Sequence, residues 1–180
     1  MNVVITQPFF FEGEAERIAG LLGRPDVDLV HIRKPDAGVL ETERLLQQIP
    51  GSLYDRLVVH DHFELASGYG LHGIHLNSRN PKAPEGWKGT VSRSCHSLAE
   101  LAACRREKFD YMSLSPIFDS ISKQGYRAAF SREELAEAQR QGVIDSRVLA
   151  LGGVTFDRIK QVLEMGFGGA MILGDAWRQY

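Results

Sequence analysis

Only two cysteines, Cys95 and Cys104, occur in 180 residues, which excludes a disulfide framework as the source of stability. Neither sign of charge dominates: 21 Lys and Arg stand against 23 Asp and Glu, for a formal net charge of −2. A chain balanced in this way has no electrostatic footprint for nucleic acid or an anionic membrane, and neither is expected as a partner. Any affinity for phosphate must therefore come from a local site. No run approaches the roughly 20 apolar residues of a membrane span. The opening residues read as a strand in place of a basic n-region and cleavage site, so a cytoplasmic, reducing location is expected. Linkers, low-complexity tracts and internal repeats are also missing, and residues 1–180 are expected to form a single domain.

What the chain does have is alternation. Strand-like runs fall at Asn2–Thr6, Asp28–Arg33, Arg56–Val59, Leu71–Leu76, Thr90–Ser94, Asp110–Leu114, Arg147–Leu151 and Gly169–Leu173. Several are apolar without a period of two, as strands covered on both faces should be. Helical patterns lie between them at Glu12–Leu22, Val39–Ile49, Ser97–Cys104, Ser131–Arg140 and Thr155–Glu164. Ser97 with Glu100 and Ser131 with Glu134 have capping-box spacing, and Gly142 and Gly166 read as helix-ending glycines. Eight such repeats predict an α/β chain folded as a compact (β/α)8 TIM barrel, with a doubly wound open sheet as the alternative. Such barrels usually run to about 250 residues. The shortening is expected after strand 4, where residues 77–89 show no clear helix, and at the last helix, for which only Asp175–Tyr180 remains.

In parallel α/β folds the reactive groups gather beyond the carboxyl ends of the strands. Those positions carry His31-Ile32-Arg33-Lys34, His60-Asp61-His62, His75-Leu76-Asn77-Ser78 and Ser92-Arg93-Ser94-Cys95-His96. Strand 6 runs into Ser115-Pro116-Ile117-Phe118-Asp119-Ser120-Ile121-Ser122-Lys123-Gln124-Gly125-Tyr126, with two alternate hydroxyls, a lysine and a glycine hinge. Hydroxyls donate to phosphate oxygens and an ammonium neutralises their charge. Strands 7 and 8 end in Leu151-Gly152-Gly153-Val154 and Leu173-Gly174-Asp175. Glycines there let backbone approach a phosphate, and loops after strands 7 and 8 form a recurring barrel phosphate site. Arg33 could grip a phosphate bidentately, with Lys34 as a point charge. His60, Asp61, His62, His72 and His75 cluster in sequence without a zinc spacing, and alternation puts His60 and His62 on the same side. Asp61 is the better metal candidate, since one carboxylate plus substrate phosphates commonly suffices for Mg²⁺.

In this order the strand ends resemble the thiamin phosphate synthase family and its TenI-like thiazole tautomerase relatives, over nearly the whole chain. Gly73-Ile74-His75-Leu76 is similar to the family's Gly-Val-His-Leu, Ser94-Cys95-His96 to its Ser-x-His, and Phe63-Glu64-Leu65-Ala66 to its helix start after strand 3. Pro116-Ile117-Phe118-x-Ser120-x-Ser122-Lys123 is similar to its Pro-x-Phe-x-Thr-x-Thr-Lys. The resemblance implies small phosphorylated substrates, a hydroxymethylpyrimidine diphosphate and a thiazole phosphate, joined with loss of pyrophosphate. It implies that Arg33, Ser94 and Lys123 hold the pyrophosphate as the catalytic set and that Asp61 binds Mg²⁺. His31, Lys34 and His60 would address the pyrimidine substrate. Ser120, Ser122, Gly153 and Gly174 would hold the thiazole phosphate, with Gly152 and Leu173 also among the substrate-binding residues and the Lys123 loop closing as a lid.

The chain departs from the family where its second magnesium carboxylate becomes Asn80, its strand-2 lysine becomes Pro35, and its Gln and Asn become His31 and His60. The histidine that the tautomerases use for proton transfer falls at Pro116. A thiazole phosphate tautomerase and a non-catalytic thiazole phosphate binder are the alternatives. A homodimer through Phe9, Phe10 and Phe11 or the C-terminal Trp177 and Tyr180 is a further possibility, beside a core role for the same aromatics.

Overall fold

The computed structural model describes residues 1–119 and 128–178. Eight parallel strands follow one another in sequence order and close into a barrel: β1 (Asn2–Ile5), β2 (Leu29–Ile32), β3 (Leu57–Val59), β4 (Gly73–Leu76), β5 (Thr90–Cys95), β6 (Tyr111–Leu114), β7 (Val148–Ala150) and β8 (Gly169–Ile172). This is the (β/α)8 architecture; the open sheet is excluded. β2, β3, β4, β6, β7 and β8 are buried at every residue. Burial on both faces explains why their sequences are mostly apolar with no alternation, His31, His75 and Ser113 being the buried polar exceptions. The chain groups into two compact units, Val3–Val91 and Ser92–Tyr180 with Met1–Asn2.

Within Val3–Val91, Val30 lies opposite Leu57 and Val58 opposite Gly73. α1 (Glu14–Leu22) buries Ala15, Ile18, Leu21 and Leu22, and α2 (Val39–Gln48) buries Leu45 and Leu46. α3 (Phe63–Tyr69) starts at His62, whose φ of 55° turns the chain sharply out of β3, and ends at Gly70 with φ 65°. No helix separates β4 from β5, as the two prolines of that segment predict. Phe9 and Phe10 stand exposed, and Phe11 is half-buried.

Within the second unit, Ser94 lies opposite Ser113 and Leu114 opposite Ala150. α4 (Leu98–Cys104) is capped by Ser97, whose Oγ accepts from the Glu100 amide at 3.1 Å. The reciprocal half of that box is altered, because the Glu100 carboxylate takes the His96 amide at 2.8 Å. α5 (Arg132–Arg140) has the full box: Ser131 Oγ accepts from Glu134 N at 3.1 Å, and Glu134 accepts from Ser131 N at 2.8 Å. Ser131→Ala is expected to cost about 1 kcal/mol, read as a lower denaturant midpoint. The single helix expected over 155–164 divides into a 3₁₀ turn at Phe156–Arg158 and α6 (Ile159–Glu164). Among the described residues β8 is followed by a 3₁₀ turn, Asp175–Trp177, which buries Trp177. Among the described residues no helix is long and apolar enough to cross a membrane.

Candidate active site

Three histidines from adjacent strands meet inside the Val3–Val91 unit. His31 belongs to β2, His60 follows β3 and His75 lies in β4; all are buried. His31 Nδ1 and His60 Nε2 share a hydrogen bond of 2.9 Å, and the His60 and His75 rings stack with centroids 4.2 Å apart. Burial, more than any neighbour, holds all three below the usual imidazole range, and His75 falls to about 3. They are therefore neutral at physiological pH. Their ring nitrogens lie within 4.8 Å of one another. With Arg33 weighing on His60 and His75, and Arg79 also on His60, a neutral hydrogen-bonded floor suits that field better than a dication does.

His62 does not join them. The turn at φ 55° carries it out of line, and its Nε2 bonds to the Ala37 carbonyl at 2.8 Å. The expectation that His60 and His62 share a side fails because β3 ends at Val59, before alternation can act. His72 likewise sits apart, its Nδ1 on the Asp55 carbonyl at 2.9 Å.

Arg33, directly after β2, is half-buried, and its amide donates to Thr6 Oγ1 at 2.9 Å. Burial pulls its pKa down, with the Arg79 charge adding to the effect and Asp61 and Asp36 opposing it. Lys34, expected among the substrate-binding groups, is placed elsewhere. The residue is 2% exposed, and its ammonium reaches Glu14 Oε1 and Oε2 at 2.6 and 2.8 Å, Phe9 O at 2.6 Å and Gln7 O at 2.9 Å. Successive side chains of an extended chain face opposite ways. Arg33 and Lys34 accordingly diverge, and the lysine ties the segment after β1 to α1.

Asp61 is held from two sides. Its Oδ1 accepts from Asn80 Nδ2 at 2.7 Å and from Arg79 Nε and Nη2 at 3.3 and 3.1 Å; its Oδ2 accepts from Arg79 Nη2 at 3.1 Å. The same Asn80 Nδ2 donates to the His60 carbonyl at 3.0 Å. Asn77 Oδ1 receives the amides of Arg79 and Asn80 at 2.9 and 3.1 Å, which fixes the turn that presents both side chains. Nothing local in the sequence singled out Arg79. The Asn77-Ser78-Arg79-Asn80 turn was a readable signal, but its partner lies 18 residues away.

In the second unit Ser94 is half-buried at the end of β5, and Ser115 Oγ lies 3.1 Å from His96 Nδ1. Gly152 and Gly153 have φ of 92° and 62°, a left-handed pair that side chains disfavour. A Cβ on Gly153 would stand 2.3 Å from the Asp119 carbonyl oxygen, and one on Gly152 would stand 2.7 Å from Pro116 Cα. The two glycines thus let the loop after β7 lie against the loop after β6, where the Phe118 amide donates to Gly152 O at 2.9 Å. Arg158 crosses the same place, donating to Gly153 O at 3.0 Å with its guanidinium 4.9 Å from the Phe118 ring centre. Leu173 and Gly174 follow β8 half-buried, and Asp175 Oδ2 takes the Phe156 amide at 2.9 Å. Ser120, Ser122, Lys123 and Gly125 lie outside the described residues, as does Tyr180. The residues flanking that loop are tied together, Ala128 N to Asp119 Oδ1 at 2.8 Å and Ala129 N to Pro116 O at 3.1 Å.

The described residues form a parallel (β/α)8 barrel whose strand ends carry arginine, hydroxyls and a left-handed glycine pair, groups suited to binding phosphate. The family model described as thiamine monophosphate synthase matches residues 3–174, and the chain belongs to that family. A thiamine-phosphate synthase of Salinibacter ruber is 26% identical over 167 residues, covering 87% of this chain and 71% of that one. The thiamine-phosphate synthase of Serratia proteamaculans is 28% identical over 175 residues, covering 83% and 80%. Among solved structures, a thiamine phosphate pyrophosphorylase from Bacteroides thetaiotaomicron shares 42% identity with a TM-score of 0.87, covering 99% of this chain and 85% of that one. The chain is thus a transferase-type member of a thiamin biosynthesis family, and these comparisons do not favour the tautomerase alternative.

The family is in general dependent on Mg²⁺. A Mg²⁺ site needs oxygen ligands at near-octahedral geometry. Here the one carboxylate, Asp61, is already paired with a guanidinium. Asn80 turns its amide nitrogen to Asp61, an orientation fixed by its two acceptors, so its donor face occupies the place of a ligand oxygen. These residues do not fit a dedicated divalent-cation site.

Proposed function

We propose that this chain joins hydroxymethylpyrimidine diphosphate to thiazole phosphate. The bond from the pyrimidine methylene carbon to the diphosphate oxygen breaks, and its electron pair leaves on pyrophosphate. The thiazole nitrogen supplies the pair for the new C–N bond of thiamin phosphate. What carries the reading is the family match over residues 3–174 in a chain that keeps Arg33, Ser94, Ser120, Ser122 and Lys123 in order. The chain's part in such a reaction is positioning and stabilisation of the departing negative charge. Arg33, Ser94 and Lys123 are assigned to the pyrophosphate by their family motifs. Ser120, Ser122, Gly153 and Gly174 are assigned to the thiazole phosphate in the same way, with Gly152 and Leu173 also among the substrate-binding residues. His31 and His60 stand where the family addresses the pyrimidine. As neutral imidazoles beneath that place they add no positive charge against a pyrimidine cation, which protonated histidines would repel.

The test is to incubate the protein with both substrates. Thiamin phosphate and pyrophosphate should appear in equal amounts. Their absence across pH and metal conditions would overturn the reading, and solvent deuterium entering the thiazole without condensation would replace it with an isomerase. Lys123→Ala is expected to lower kcat by roughly 10²–10³, the usual effect of losing one charge-stabilising donor. Steady-state kinetics with both substrates saturating would show it, and unchanged turnover would return Lys123 to an ordinary loop residue.

A further inference from the structure

The Asp61 cluster combines one carboxylate with two guanidiniums. Arg79 is bound to Asp61 through Nε and Nη2, and its side chain keeps 41% of its surface exposed. The Nη1 edge of the fork is left by Asp61 for another acceptor. Arg33 lies close enough for the Arg79 charge to depress its own ionisation. Asp36 acts on Arg33 beside Asp61, so two carboxylates face the two guanidiniums, and Asn80 is neutral. A dication entering this group would have to displace the Asp61–Arg79 pair and would face the released guanidinium. A diphosphate instead meets the planar donors of the fork, matched to its oxygens.

We propose that Arg79 takes the place of the family's metal ion, so that this chain binds the diphosphate of its substrate without a divalent cation. Asp61 is then a positioning residue: it fixes the Arg79 fork, with Asn80 and the Asn77 turn holding the carboxylate and the backbone behind it. The family's carboxylate pair, with one member changed to Asn80, becomes an arginine cradle. This inference rests on the proposed pyrimidine diphosphate substrate, and the experiment separates the two.

Inorganic pyrophosphate is titrated calorimetrically into the intact protein, once in excess EDTA and once in Mg²⁺. The wild type should bind in EDTA, and Arg79→Gln should weaken that binding by roughly 10–100-fold, as loss of a charge-assisted contact does. Arg79→Lys, which keeps the charge but not the fork, should fall between them. The double variant Arg79→Ala with Asn80→Asp restores two oxygen ligands and should bind pyrophosphate only with Mg²⁺. Wild-type binding that requires Mg²⁺, or an Arg79→Gln variant that binds as well as wild type in EDTA, would overturn the inference while leaving the substrate reading intact. No binding in either condition would overturn both. Melting curves of each variant show that the comparison is made on folded protein.

Discussion

On acidification from pH 7 to pH 5 the protein is expected to lose on the order of 2 kcal/mol of stability through His75, with His31 and His60 adding losses of the same sign. Burial drives all three below the ordinary imidazole range, His75 to about 3. In the unfolded chain each titrates near 6.5. Below that pH the unfolded state takes up protons that the folded state refuses. The stabilisation is therefore complete above about pH 6.5 and is lost as the pH falls towards the folded values. For His75 the gap at pH 5 is about 1.5 pKa units, at 1.36 kcal/mol each. That loss alone is a sizeable share of the stability of an ordinary domain, about 5–15 kcal/mol. Urea midpoints should drop steeply between pH 7 and 5, and His75→Gln should flatten the slope by removing one of the three protons. Equal midpoints at pH 7 and 5 would show that the histidines are not held neutral by burial.

Lys34→Ala should cost about 3–5 kcal/mol, because it leaves the Glu14 carboxylate buried with no partner. Both side chains are 1% exposed, so water cannot screen the loss. Burial pushes the Glu14 carboxyl up and the Lys34 ammonium down, and the hydrogen bond between them opposes both shifts. Replacing both ions, as Glu14→Leu with Lys34→Met, should recover most of the stability, since apolar pairs of similar volume commonly match a buried ion pair. Denaturant unfolding of the two variants measures this. Near wild-type turnover in the double variant would confirm that Lys34 serves the fold. A loss of turnover with stability restored would return it to the substrate.

Much of this was readable along the chain because it is local. β2, β4 and β6 are short, mostly apolar runs, each with one polar residue (His31, His75 and Ser113), and Ser131 with Glu134 announces α5 through its own spacing. Gly142 and Gly166 mark helix ends because their φ of 68° and 87° favour glycine. The site was readable as a set of strand ends, since barrel topology puts those at one rim. Side-chain direction and long-range pairing were not. Lys34 follows Arg33 by one residue and points to Glu14, 20 residues back. The histidine trio is made by the register of β2, β3 and β4, and His31 was not grouped with His60 and His75 by spacing. Arg79 meets Asp61 only because the Asn77 turn folds it back over the end of β3.

On the proposed function the strand ends hold two different anions with different residues: pyrophosphate at Arg33 and thiazole phosphate at Gly153 and Gly174. Calorimetric titration of each ligand into Arg33→Ala and Gly153→Ala tests it directly. Arg33→Ala should lose pyrophosphate and keep thiazole phosphate. Gly153→Ala should do the reverse, because the added Cβ cannot share space with the Asp119 carbonyl 2.3 Å away. If, in variants that melt like wild type, either substitution weakened both ligands equally or neither ligand at all, the claim would be contradicted.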